Sequence, residues 1–146
     1  MDLTKSYPRS VRDLFAGVVM LGRATDKGRA TAAGSNGEYS YNCPMDKAVF
    51  GFLEIDKDEY FAKLKELDDA ALERWARETY VSKKSPAEVA QWNEQFLNYA
   101  PAPGSDSEAY FVELRNQVAP DRTDVTAWAD LLDLDEKRPV PMRAPA

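Results

Sequence analysis

Ser85-Pro86-Ala87-Glu88, leading into Val89, Trp92, Phe96 and Tyr99, is the stretch whose reading decides the fold. It offers a serine to cap a helix, a proline at the first helical position and a carboxylate in the first turn. The four apolar residues that follow recur at helical spacing and predict one buried face. The same grammar repeats in both directions. Pro44 opens a predicted helix to about Leu53, with Phe50 and Leu53 inward. Asp56 caps a segment striped by Tyr60, Phe61, Leu64 and Leu67, and Asp68 caps one carrying Leu72, Trp75, Ala76 and Thr79. Beyond the linker 101–105, a helix is expected from Asp106 to Ala119 with Tyr110, Phe111, Leu114 and Val118 on one side. Pro120 ends it, and Thr123 or Asp124 caps the last helix, which packs Val125, Trp128, Leu131 and Leu132.

Toward the N-terminus, Val11, Leu14, Phe15, Val18 and Val19 follow Ser10 at nearly helical spacing, although Gly17 and Gly22 weaken that pattern. Residues 21–33 continue as helix until Gly34-Ser35-Asn36-Gly37 turns the chain. The expectation is an all-α, compact single domain over 1–146, built of about six to eight short helices. One irregular or short extended loop interrupts it around residues 35–43, and the termini 1–8 and 138–146 are expected to fray.

Composition bounds the function. The chain has 146 residues, 44% hydrophobic and 30% charged, as in a globular domain with one core. Its longest apolar run, Val18-Val19-Met20-Leu21, falls far short of the roughly 20 residues that span a bilayer, so no membrane is expected. Met1-Asp2-Leu3-Thr4 has no basic start or apolar stretch of a signal peptide, and a single cysteine fits a reducing compartment. A cytoplasmic location follows. The net charge of −6 repels phosphate backbones, which speaks against nucleic acid as a partner. Histidine is absent, removing the usual base near neutral pH and the commonest metal ligand. No metal and no cofactor are expected, and catalysis is the less favoured reading.

Helix packing does not explain Gly37-Glu38-Tyr39-Ser40-Tyr41-Asn42-Cys43-Pro44-Met45-Asp46. Loops on a rigid scaffold are where function tends to sit. Just before it, Arg23 and Lys27 share a helix face one turn apart, and Asp26 lies three residues before Arg29. These cations suit an anion pocket closed by the following loop, or else they tie that loop to the helix. Tyr39, Tyr41 and Asn42 can line a cleft or serve packing alone. Cys43 stands at a helix N-cap, either as a reactive thiol or as a small buried hydrophobe. Asp133, Asp135 and Glu136 crowd together but lack the spacing of a calcium loop, so they are expected to pair with Arg138 or Arg122. Trp75, Trp92 and Trp128 fall within apolar stripes and read as packing.

Five blocks carry a resemblance: Pro8-Arg9-Ser10; Asp26-Lys27-Gly28-Arg29-Ala30; Gly37-Glu38-Tyr39 through Asn42-Cys43-Pro44; Ser85-Pro86-Ala87-Glu88 with Trp92-Asn93; and Arg122-Thr123-Asp124 through Leu131 to Glu136. In this order they resemble the small bacterial domain-of-unknown-function family numbered five thousand and sixty-nine, over almost the whole chain. The resemblance implies no activity and no catalytic residue. It implies alanine at the position of Gly28, and it implies that the Asp26-Lys27-Arg29 and Asn42-Cys43-Pro44 blocks belong together.

Three functions are carried forward. The first is binding of an anionic small molecule or a protein partner by Arg23, Asp26, Lys27, Arg29, Tyr39, Asn42, Cys43 and Asp46, where helix 21–33 meets loop 38–46. The second is an enzyme using Cys43, or Asp26 and Asp46 as acid and base. The third is an assembly protein without a small-molecule site. Oligomeric state stays open.

Overall fold

A computed structural model describes residues 1–143; positions 144–146, the end of the stretch expected to fray, lie outside the described residues. The fold is all-α. Among the described residues there are seven α-helices, one 3-10 turn (Val81–Lys83) and no strand. The helices are α1 (Leu21–Ala32), α2 (Pro44–Leu53), α3 (Lys57–Glu66), α4 (Asp69–Thr79), α5 (Pro86–Leu97), α6 (Asp106–Val118) and α7 (Trp128–Asp135). They gather into two compact units, Met1–Asn93 and a second from Glu94 onward.

In the first unit the caps act where the sequence places them. Asp56 accepts from the backbone N–H groups of Asp58 and Glu59, and Asp68 from that of Ala71. Each satisfies donors that a helix start leaves orphaned. Helix α1 packs against α2 and α3 and is buried over nine of its residues, including Arg23, Thr25, Asp26 and Lys27. A helix sunk this deep must find internal partners for every polar group it carries. Thr25 and Tyr60 show the pattern: their hydroxyls lie 2.6 Å apart in the core, and burial pushes the Tyr60 phenol above its usual range.

The helix expected over 11–19 is absent. Phe15 and Val18 exchange both backbone hydrogen bonds across Ala16 (φ 54°) and Gly17 (φ 77°), the signature of a tight type I′ turn. Distant side chains hold it. Glu73 accepts from the Ala16 N–H, while Asn93 accepts from the Val19 N–H and donates to the Gly17 carbonyl. These contacts satisfy backbone groups that a helix would have paired with each other, and α1 starts only at Leu21.

Residues 1–8, expected to fray, carry tertiary contacts. Leu3 and Pro8 are buried, the Leu3 N–H donates to the Ser35 carbonyl at 2.8 Å, and the Ser35 hydroxyl donates to the Met1 carbonyl at 2.7 Å. Gly37 (φ 56°) permits this approach, since a Cβ there would stand 3.0 Å from the Leu3 carbonyl oxygen.

The second unit centres on Phe111, Val125, Leu131 and Val140, with Leu114, Trp128 and Leu134 packed against them. Ser105 caps α6 as a serine should. Neither Thr123 nor Asp124 caps α7, which begins at Trp128 behind Ala127. Asp124 is drawn elsewhere: hydrogen bonds from the Arg122 guanidinium and from the Arg143 backbone N–H hold its carboxyl well below the usual carboxylate range. Arg122 also donates to the carbonyls of Val140 and Pro141, and Arg143 forks onto Asp130. Within the stretch expected to fray, Val140, Pro141 and Arg143 therefore carry tertiary hydrogen bonds. The acidic end of α7 pairs as expected, Glu136 with Arg138.

The predicted stripes hold in register but not always in depth. Phe111 is buried, whereas Tyr99, Tyr110 and Val118, expected on inward faces, are exposed. Trp92 stacks flat on Phe52 at 4.8 Å, and Trp128 meets Phe111 edge-on at 4.9 Å, so these rings pack as read.

Candidate functional site

Loop 38–46 folds back onto α1. Lys27 Nζ lies 3.0 Å from Asp46 Oδ2 and donates to Cys43 Sγ at 3.1 Å. The two charged side chains are 4% and 0% exposed, a desolvated pair. Asp46 also accepts from the Cys43 N–H, and the Cys43 sulfur accepts from the backbone at the third residue of α2. This is a capping box built with cysteine in place of serine. The two blocks that the resemblance joined therefore meet. Asp46 Oδ1 is buried without a hydrogen-bond partner among the described residues.

The other α1 residues are engaged in their own ways. Arg23 is buried, donates to the Arg9 carbonyl at 3.2 Å, and lies over the Tyr39 ring at 5.6 Å from its centroid. Asp26 accepts three times from Arg9: from its N–H at 2.8 Å, its Nε at 3.1 Å and its Nη2 at 2.9 Å. Arg29 reaches across to the carbonyls of Leu64 and Leu67 and to the Asp69 carboxylate. It closes the C-terminal end of α3, where unpaired carbonyls attract cations.

Asn42 sits at φ 66°. Asparagine tolerates this left-handed conformation better than most residues, so a backbone need accounts for its presence. Tyr41 packs between Phe50 and Phe61, at 5.8 and 5.3 Å, and donates its hydroxyl to the Lys57 carbonyl. Burial holds its phenol above the usual range.

Two residues that the helical reading left out of the site organise it. Arg9 bridges Asp26 and Asp69, and Asp69 collects both Arg9 and Arg29. Arg9 stood in a block of the resemblance, and Asp69 directly follows a recognised cap.

Gly28 lies on the face of α1 that Tyr41 and Leu64 cover. A Cβ there would come within 2.5 Å of Leu64 Cδ2 and 3.0 Å of Tyr41 Cε1. Alanine favours the helix by up to about 1 kcal/mol, but overpacking a closed core costs about 1–3 kcal/mol. Leu64 is buried, and Tyr41 closes the same face, so both side chains must shift to admit the methyl group. Gly28→Ala is expected to lower stability by about 1 kcal/mol in urea unfolding; a more stable variant would show that Leu64 yields freely.

Two hollows flank the junction. One, of about 460 Å³, is lined by Arg29, Ala32, Ala33, Leu64, Lys65 and Leu67, beside the C-terminal ends of α1 and α3. The other, about 490 Å³, lies between residues 3–7 and 37–39 and is lined by Tyr7 and Tyr39 with Lys5, Thr4, Ser6 and Glu38. Among the described residues, no group of three or more Cys, Asp or Glu side chains is gathered to hold a metal ion, and no helix is long and apolar enough to cross a membrane.

The family described as "Domain of unknown function (DUF5069)" has a sequence model that matches residues 5–138. The chain belongs to that family. None of the curated proteins compared with it matches. In this DUF5069 chain the family match takes in both the junction of α1 with loop 38–46 and the Arg122–Asp124 clasp of the second unit.

Proposed function

We propose that this DUF5069 protein is a small binding domain. Its ligand, an anionic small molecule carrying a ring or apolar part, seats in the hollow between residues 3–7 and 37–39. The observation that carries the reading is the pairing there of two tyrosines with Lys5, on the edge of the loop whose other edge grips α1. Flat side chains give a ring its contact area and a lysine fixes an acidic group. The hollow beside Arg29 suits an anion less well. It faces two helix C-termini, where the dipole opposes negative charge, and Arg29 already serves carbonyls and Asp69.

Binding is preferred to catalysis because Asp26 and Asp46 are each taken up by a cation of their own, which argues against an acid and base pair. A protein partner presenting an acidic, aromatic segment would use the same groove. The cytoplasm is the compartment this reading assigns.

The test is a thermal-shift and NMR screen of aromatic and aliphatic carboxylates. Lys5→Ala is expected to weaken binding at least about tenfold, as loss of one charge-assisted hydrogen bond does, with stability unchanged. Binding that survives both Lys5→Ala and Tyr39→Leu would rule this groove out.

A further inference from the structure

Beneath loop 38–46 a lysine nitrogen touches the only thiol of the chain. Lys27 Nζ and Cys43 Sγ are 3.1 Å apart. The lysine is nearly inaccessible, while the cysteine is half-buried and so the more exposed of the two. An oxidised cysteine is ordinarily resolved by a second thiol, and this chain has none. Nitrogen can take that place, since a sulfenic acid also condenses with nitrogen to a sulfenamide. A second observation bears on the same spot. Asp46, fully buried, holds Lys27 through Oδ2 and leaves Oδ1 without a partner among the described residues. An acceptor is thus waiting beside an ammonium that must shed protons before its nitrogen can attack.

We propose that Cys43 and Lys27 form a reversible oxidation site, in which Lys27 captures peroxide-oxidised Cys43 as a sulfur–nitrogen crosslink. In the first step hydrogen peroxide breaks its O–O bond. Sulfur loses two electrons and gains one oxygen, giving Cys43–SOH, and the other oxygen leaves as water. In the second step Nζ attacks the sulfur as the S–O bond breaks. Of the three hydrogens on the ammonium, one stays on nitrogen, one leaves with the hydroxyl as water, and one passes to the Asp46 carboxylate. No further oxidant is consumed. A thiol reductant reverses the crosslink: one equivalent frees the amine and leaves a mixed disulfide, and a second restores the Cys43 thiol. The crosslink ties α1 covalently to the start of α2 and removes the positive charge that Asp46 faces.

The experiment treats the full chain with hydrogen peroxide, digests it with trypsin without reductant, and maps the peptides by mass spectrometry. The expected product joins the Lys27 peptide to the Cys43 peptide with two hydrogens fewer than their sum. Cleavage after Lys27 is lost in the oxidised fraction and returns after dithiothreitol. Cys43→Ser keeps a capping oxygen and is expected to retain full cleavage after Lys27 under the same treatment. Lys27 is followed by its own cleavage, so no variant that disturbs the buried pair is needed. Cys43 passing to sulfinic or sulfonic acid with Lys27 still cleaved would overturn the proposal. So would a linked pair that keeps an extra oxygen, or a Cys43 that stays reduced while the urea-unfolded chain oxidises.

Discussion

Replacing Lys27 by methionine is expected to lower the unfolding free energy by about 3–5 kcal/mol, the loss typical when one partner of a buried ion pair is removed. Solvent screens neither member, since their side chains are 4% and 0% exposed. Methionine fills much of the volume of the lysine stem, so the loss reports the stranded carboxylate and not a cavity. Asp46 cannot swing outward to water without giving up the Cys43 N–H and the start of α2. The double variant Lys27→Met/Asp46→Asn keeps an acceptor for that N–H and removes the charge. It is expected to stand within about 1–2 kcal/mol of the wild type, the residue being imperfect hydrogen bonding. Urea unfolding of the four proteins of this cycle gives the coupling directly. A double variant no more stable than Lys27→Met would mean that the pair contributes nothing through its charge.

Caps explain why most of the fold was legible. Pro44, Asp56, Asp68, and Ser85 with Pro86 each act within about one turn, so their effect can be read from neighbouring letters. Residues 11–19 failed that kind of reading because their conformation is decided by Glu73 and Asn93, far along the chain. The start of α7 failed because Asp124, which has capping chemistry, is claimed by neighbouring Arg122 and by the distant Arg143 N–H. Periodicity gave the face of a helix without its depth, so Tyr110 and Phe111 differ in burial although one stripe contains both.

At the site, proximity was legible and partnership was not. Cations on α1 and the loop after it do meet, as Lys27, Cys43 and Asp46 show. Helical spacing suggested Asp26 with Arg29, yet Asp26 takes Arg9 and Arg29 takes Asp69. An arginine can choose among partners several ångströms away, and only the tertiary fold decides which of them is desolvated. The buried position of Arg23, Asp26 and Lys27 was hidden for a related reason. A charged stripe reads as a solvated face until its partners are known.

Asp26→Ala is the second large effect, expected at about 2–4 kcal/mol. The side chain is 5% exposed and satisfies three donors of one residue, including the Arg9 backbone N–H, which has no other bond among the described residues. Its removal orphans that N–H and leaves the guanidinium only Asp69 and the Arg9-facing ring of Phe15. Asp69→Ala removes a carboxylate from the same arginine but is expected to lose under about 1 kcal/mol, because its side chain is 53% exposed and water replaces it. Partial burial pushes the Asp69 carboxyl up, but hydrogen bonds from Arg29 and Arg9 outweigh that and hold it below its ordinary value. Its contribution is therefore complete above the ordinary aspartate range and fades as pH falls through the lowered value. Asp26→Asn, which can still accept from the Arg9 N–H, should fall between the two. Denaturation midpoints at pH 7 rank the three variants. An Asp69→Ala loss as large as that of Asp26→Ala would place the anchor of the N-terminal segment at the surface, not on α1.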